Sequence, residues 1–420
     1  MCDCSSRFED TLHYSSPAHG GWGVVRTAML VPESYQLFVC PFACGRHGAI
    51  GACFQNLKHR LSYLYLQEAD IVSGSYEELI PDAVDELLAA LTVQPKALMI
   101  FVSCLDDLLG TDHEAILTVL RDRHPEVRFV FCHMNPISLD SKLPPPVNVQ
   151  LKMYGLLEAQ SGAKAQRVNF IGNMVPVDEQ SELYGVLKSL GISQTCHISQ
   201  YATFEQWQEM AQSQLNVVLL PPGLKASQDM EKRLQIPYLS LTVSYDPDAI
   251  LLSYEQLAAA LGKKLEIDLS GYYEQAVQAL QETAEKLSGV EIVLDGSCSA
   301  RPFSLAVTLL KYGFSVTEVM ADAAGSDSEG LRRLTADYPQ VALSQPQHHA
   351  TVLFNRRRSE VLAIGFDAGY ITGAKHVVGL ASDEALFGFW GVRQLMAMLQ
   401  AAWAEETDLE QMIHDYGLVV

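Results

Sequence analysis

The chain has 420 residues, more than one ordinary hydrophobic core accommodates, so two or three domains are expected. Its 29 basic residues against 50 acidic ones give a formal charge of -21, which repels phosphate backbones and anionic lipid headgroups and argues against nucleic-acid and membrane partners. No apolar run of about 18 residues occurs and the opening stretch "MCDCSSRFEDTLHYSS" has neither a basic nor an apolar leader segment, so a cytoplasmic protein with reduced cysteines is expected.

Short β-branched runs alternate with segments of helical period, the pattern of strand–helix–strand units around parallel sheets. The first strands are expected at 35–40, 69–74, 97–104 and 128–135. A helix is expected over "AIGACFQNLKHRL", with Ile50, Cys53, Leu57 and Leu61 on one apolar stripe. Another is expected over "SYEELIPDAVDELLAALTV", whose Leu79, Val84, Leu87, Leu88 and Leu91 share a face. "SKLPPPVN" (141–148) reads as a breaker, its prolines holding the chain extended. A second set of strands follows at 167–174, 194–199, 215–222 and 236–243, and a third at 290–297, 315–321, 361–367 and 376–380. The fold class expected is α/β, with three doubly wound, Rossmann-like domains of mainly parallel sheets over 1–160, 161–265 and 266–420. Ligands of such sheets bind beyond the carboxyl ends of the strands, so functional residues are sought there.

Nine cysteines are spread unevenly. Cys132 and Cys196 lie within apolar strands and Cys53 on the apolar stripe, which reads as packing. Cys40, Cys44 and Cys104 fall at or just past strand ends in the first block, where adjacent parallel strands could bring soft thiolates to one rim. "CPFAC" has no second pair or His-x-His partner of zinc spacing, and three intervening residues where a thioredoxin-like pair has two. In "GSCSARP", Gly296, Ser297 and Arg301 could face a cleft and bind an anionic ligand at a helix start, or form a plain turn. His348 and His349 read as a loop rather than a shared metal site, since adjacent side chains on a strand point apart, and "NRRRSE" (355–360) reads as a solvated face or a site for an acidic partner.

Three stretches in order, "FACGRHGAIGACFQN", "LQEADIVSGSYEELIPDAVDEL" and "FVSCLDDLLGTDHEAIL", carry a family likeness. The series resembles the catalytic component of nitrogenase and its relatives, which include dark-operative protochlorophyllide reductase and the reductive cyclase of coenzyme F430 synthesis. The matching elements are Cys44, the Glu68–Val72 segment as an acidic strand, and Cys104 with Leu108, Leu109, Gly110 and Asp112. Arg301–Pro302 at the third-domain turn and the Ile236–Pro237 step extend the likeness.

The resemblance implies a three-domain subunit that pairs with a homologue or with itself and holds an iron–sulfur cluster, [4Fe–4S] or larger and P-cluster-like, at the subunit interface. It also implies an ATP-hydrolysing iron protein as electron donor, in keeping with the absence of a P-loop from this sequence. Cys44 and Cys104 carry over as cluster ligands. The family's further cysteine near "SSPAHGGWG" is missing, with Cys40 the natural substitute and Ser16, His19, Cys4 or a partner residue as alternatives. The stretch His19–Arg26 would lie near that cluster, and Arg46 and His47 would tune its potential or form a structural salt bridge. The second-domain strand end "LLPPGLK" has no cysteine and "LASDEALFGFWGVRQL" no histidine, so the nitrogenase cofactor's usual ligand pair is absent and dinitrogen reduction is not expected. A different metallocofactor or a tetrapyrrole in the interdomain cleft is implied instead. The alternatives are a scaffold that holds a maturing iron–sulfur cofactor without turnover, or a plain α/β ligand-binding protein.

Overall fold

The structure is a computed structural model that describes residues 14, 16, 18, 23–54, 56–134, 143–353 and 358–417. The N-terminal Cys2 and Cys4, residues 19–22, Arg356 and Arg357, and the side chains of Arg46 and His47 lie outside the described set. Among the described residues there are three sheets, and every strand pairing in them is parallel.

In the first sheet β1 (Ser34–Cys40), β2 (Leu61–Tyr65), β3 (Ala97–Val102) and β4 (Arg128–His133) take the order β2-β1-β3-β4. The second, β5 (Arg167–Ile171), β6 (Gln194–Cys196), β7 (Leu215–Val218) and β8 (Tyr238–Ser240), repeats it as β6-β5-β7-β8. The third adds an edge strand: β9 (Glu291–Asp295), β10 (Ser315–Met320), β11 (Ala342–Ser344), β12 (Leu362–Ile364) and β13 (His376–Val378), in the order β11-β10-β9-β12-β13. Each order reverses direction once, between β1 and β3, β5 and β7, and β9 and β12. At such a switch point the connections leave to opposite faces and open a crevice beyond the strand ends.

The strands are legible because a parallel sheet covered on both faces needs apolar side chains on both. All six residues of β3 are fully buried. Leu98, Ile100 and Val102 enter one core while Ala97, Met99 and Phe101 enter another, which continues through Ile171, Trp207 and Met230 of the second sheet's layer. A third core likewise joins Phe170, Leu215 and Val217 of the second sheet to Leu294, Phe303 and Leu395. The sheets are thus joined in series by shared apolar layers. Two buried carboxylates reinforce the second join: Glu182 accepts hydrogen bonds from the backbone N–H of Phe389 (2.6 Å) and Trp390 (3.0 Å), and Glu384 from those of Met174 (2.5 Å) and Val175 (3.2 Å).

Around the first sheet lie α1 (Gly23–Ala28), α2 (Phe42–Phe54), α3 (Glu68–Ser73), α4 (Tyr76–Ala90), α5 (Cys104–Leu109), α6 (His113–Arg123) and α7 (Pro145–Tyr154). The structure departs from the sequence pattern in three places. The stretches 69–74 and Glu68–Val72 are not strand but form the helix α3 and its Gly74 cap, because Gln67 and Asp70 exchange side-chain and backbone hydrogen bonds in a capping box and acids fill the first turn. The strand is instead "LSYLY", whose Leu61 the apolar stripe assigns to the preceding helix. Cys53 is exposed rather than core: α2 packs through Gly45, Gly48 and Ala52, close enough that a Cβ at Gly45 would meet the Tyr63 ring at 2.9 Å and one at Gly48 the Phe38 ring at 2.8 Å. The prolines 144–146 do not only break the chain. Pro144 is extended, and Pro145 starts α7, where a missing N–H costs nothing.

Candidate functional site

Cys40 is the last residue of β1, Cys44 lies in the first turn of α2, and Cys104 opens α5 directly after β3. Val39 pairs with Val102, so the two chains leave the sheet side by side, at its switch point. Pro41 follows Cys40 and forces a tight exit, its carbonyl accepting from the Cys44 N–H at 3.0 Å. Ser103 caps α5 through a hydrogen bond from the Leu105 N–H, at 3.4 Å. Cys44 and Cys104 are half-buried, whereas Cys40 is fully buried among Phe38, Ala52 and Phe101. Burial, with Cys44 nearby adding repulsion, pushes the Cys40 thiol up to about 12. The three sulfurs are not close enough together to grip one ion; a multi-iron cluster spaces its thiolates further apart than a single ion does. The two half-buried thiols at an open rim fit such a group. Cys40 would have to give up a proton that burial holds tightly, which metal ligation can bring about.

Large apolar side chains edge this rim. Phe42, Val72 and Leu108 are 77%, 81% and 81% exposed, and Tyr65 and Leu109 are exposed beside them. All of them follow or end β1, β2 or β3 at the carboxyl edge, and the Phe42 and Tyr65 rings lie 5.0 Å apart.

A cavity of about 530 Å³ opens between the second and third sheets. Leu220, Pro221 and Pro222, beyond β7, form one wall; Gly296, Ser297 and Ser299, beyond β9, and Asp367, beyond β12, form the other. Ser297 donates to Asp295 through both its N–H (2.9 Å) and its hydroxyl (2.6 Å), and the Ala368 N–H donates to the same carboxylate at 2.9 Å. Even so, burial pushes Asp295 up to about 6, and it does the same to Asp383, which accepts from Tyr245. Gly365, with φ at +103°, leaves the space that the Asp295 carboxylate occupies. Gly296 and Ser297 therefore line the cleft, while Arg301 does not: its guanidinium pairs with buried Asp327 at 3.6 Å and donates to Ser304. Among the described lining residues the charged ones are Asp322 and Asp367, and no Lys, Arg, His or Cys is present.

Other candidates fall elsewhere. Ser16 donates to Asp367 at 2.5 Å, on the third sheet rather than at the cysteine rim. The His348 and His349 rings lie 4.3 Å apart, centroid to centroid, where a 3-10 helix opens at His349. Arg358 pairs with Glu318 and Glu291. Cys132 and Cys196 are buried, as is Cys298.

One constellation has no counterpart in the sequence reading. The carboxylate of Asp106, the Nε2 of His113 and the Nδ1 of His133 converge at the same carboxyl edge, and among the described residues they are the one set of three such groups whose ligand atoms all lie within 4.8 Å of one another. The signal was the acid–histidine spacing in "CLDDLLGTDH" and a histidine ending the neighbouring strand β4. Burial alone would raise Asp106, but hydrogen bonds from His113 and Tyr76 outweigh it and hold it below the usual carboxylate range; burial lowers His133.

The family model for nitrogenase component 1 type oxidoreductases matches residues 20–403. The chain belongs to that family. This nitrogenase-component-1-type chain also superposes on a solved structure of nitrogenase Cp1 at pH 6.5 over 94% of each chain, with a TM-score of 0.73 at 15% identity. A structure of nitrogenase Cp1 at pH 5 gives a TM-score of 0.63 at 15% identity, covering 94% of this chain and 90% of that one. At that identity the likeness is one of fold. No curated protein sequence matches the chain. Among the described residues, no helix of the nitrogenase-like subunit is long and apolar enough to cross a membrane.

Proposed function

We propose that this nitrogenase-component-1-type chain is one subunit of a two-component reductase, with Cys44 and Cys104 ligating an interfacial iron–sulfur cluster and Cys40 as the third thiolate. The observation that carries the reading is the placement of Cys44 and Cys104 beyond the two strands that flank the first sheet's switch point, on a rim edged by exposed apolar side chains. When bound, the cluster supplies one-electron storage.

The chain's own residues do the rest. The two half-buried thiols offer soft ligands, and Phe42, Val72, Leu108 and Leu109 would be covered by a homologous subunit or a second copy, which excludes water from the rim and lowers the local dielectric. Electrons come from a separate ATP-hydrolysing iron protein. The substrate, a metallocofactor or a tetrapyrrole occupies the cleft, where Gly296 and Ser297 meet it and Arg301 braces the turn through Asp327. The carboxylates of Asp322 and Asp367 and the hydroxyls of Ser297 and Ser299 suit a ligand with cationic or hydrogen-bond-donating groups.

The test is anaerobic purification with iron and sulfide analysis, then electron paramagnetic resonance after dithionite. The proposal expects a brown protein with several irons per chain and a signal on reduction; colourless, iron-free protein would overturn it. Stoichiometric release of the iron to an acceptor apoprotein, without turnover of a small substrate, would make the chain a scaffold.

A further inference from the structure

We propose that Asp106, His113 and His133 form a binding site for one divalent first-row transition-metal ion, with the fourth position open to solvent. Three elements bring the donors together. Asp106 sits in the first turn of α5, after β3; His113 is the first residue of α6; His133 ends β4, which pairs with β3. The His113 Nε2 lies 2.9 Å from both Asp106 carboxylate oxygens, and the His133 Nδ1 lies 3.9 Å from Oδ2. Ligands on one tetrahedral ion with bonds of about 2.1 Å stand roughly 3.4 Å apart. The observed separations bracket that value, so small side-chain adjustments close the site.

Two features point to a ligand rather than to a self-contained polar network. The His133 Nδ1 is a buried ring nitrogen that makes no hydrogen bond, whereas buried polar atoms ordinarily have a partner. The carboxylate, in turn, is held from behind: Tyr76 donates to Asp106 Oδ1 at 2.6 Å, the kind of supporting hydrogen bond that orients a ligating carboxylate. His113 is further fixed by stacking on Phe131, ring centroids 4.3 Å apart. His113 and His133 keep 23% and 18% of their side-chain surface exposed, so an ion can enter and a water can complete its shell. Two imidazoles and one carboxylate suit zinc, iron(II) or manganese(II) more than a hard alkaline-earth cation or a thiophilic one. Asp107, whose Oδ1 is 3.6 Å from His133 Nδ1, is placed to receive a hydrogen bond from a metal-bound water.

The inference does not rest on the cluster reading, and its test is arranged accordingly. The full chain carrying Cys44→Ser, Cys53→Ser and Cys104→Ser, which removes the thiols that are not fully buried among the described cysteines, is titrated with cobalt(II) as a spectroscopic stand-in for zinc. One equivalent should bind with the strong visible d–d bands of a four-coordinate ion and no near-ultraviolet sulfur-to-metal band, and zinc should displace it. His113→Ala and His133→Ala should each weaken binding at least tenfold. His133→Ala removes no hydrogen bond made by Nδ1, so it keeps the test decisive if His113→Ala fails to fold. No cobalt uptake, or uptake at unchanged affinity in the His133 variant, would overturn the site.

Discussion

Asp295 and Asp383 show how a buried acid in the cleft wall sets pH dependence. Burial raises each from an ordinary value of 3.8 to about 6, so between those limits the folded chain binds protons that the unfolded chain has released. The stabilisation from the neutral acids is complete below about pH 4 and lost as pH rises through about 6. Asp383→Asn should therefore remove about half of the fall in stability over that window, about 3 kcal/mol of roughly 6 kcal/mol for the two acids together. Urea midpoints from pH 4 to 8 measure it; a variant that tracks the parent through the whole range contradicts the assignment. At this scale the sequence was uneven. The strand-end positions of Cys44 and Cys104 were legible from their motifs, and the place of Gly296 and Ser297 on the cleft from a strand-end turn. The convergence of Asp106, His113 and His133 was not, because it depends on the register of β4 against β3 rather than on spacing within one segment.

The continuous apolar run of β3 could be read directly, since both its faces are covered, and so could β5 and β7, whose buried Asn169 and Asn216 bond to each other at 2.8 Å. The exchange of α3 for β2 could not. Ile71 and Val72 suggest a strand, yet local capping decides the outcome and leaves Val72 outside any core. Capping also governs the join between the second and third sheets. The helix Gly388–Ala404 begins at a glycine with φ at +77°, and its first amides are satisfied by Glu182, which also accepts from Tyr254 at 2.5 Å. Gly388→Ala would combine a left-handed backbone with overlap on that carboxylate and should cost about 2–5 kcal/mol. Glu182→Ala leaves the amides without a partner and should cost about 1–3 kcal/mol. Chemical denaturation reads both, and two unchanged midpoints would show that the cap does not hold the join.

Across the whole molecule, three parallel sheets joined through shared cores place the cysteine rim at the first sheet's switch point and a cavity between the second and third sheets. The architecture follows from alternating strands and helices, but the exposed rim does not, because nothing in that alternation marks Phe42 and Leu108 as exposed until the strand ends are located. If that rim meets a homologous subunit or a second copy, Phe42→Asp with Leu108→Asp should shift the assembly toward the free chain of 46.3 kDa in light scattering. An unchanged mass would place the interface elsewhere. The central claim is that thiolates at this rim hold iron. Iron content measured side by side in anaerobically purified parent, Cys104→Ala and Cys53→Ala proteins tests it most directly, since Cys53 is the exposed cysteine of the same helix as Cys44. The account predicts iron in the parent and in Cys53→Ala and its loss from a folded Cys104→Ala; full iron in Cys104→Ala would contradict it.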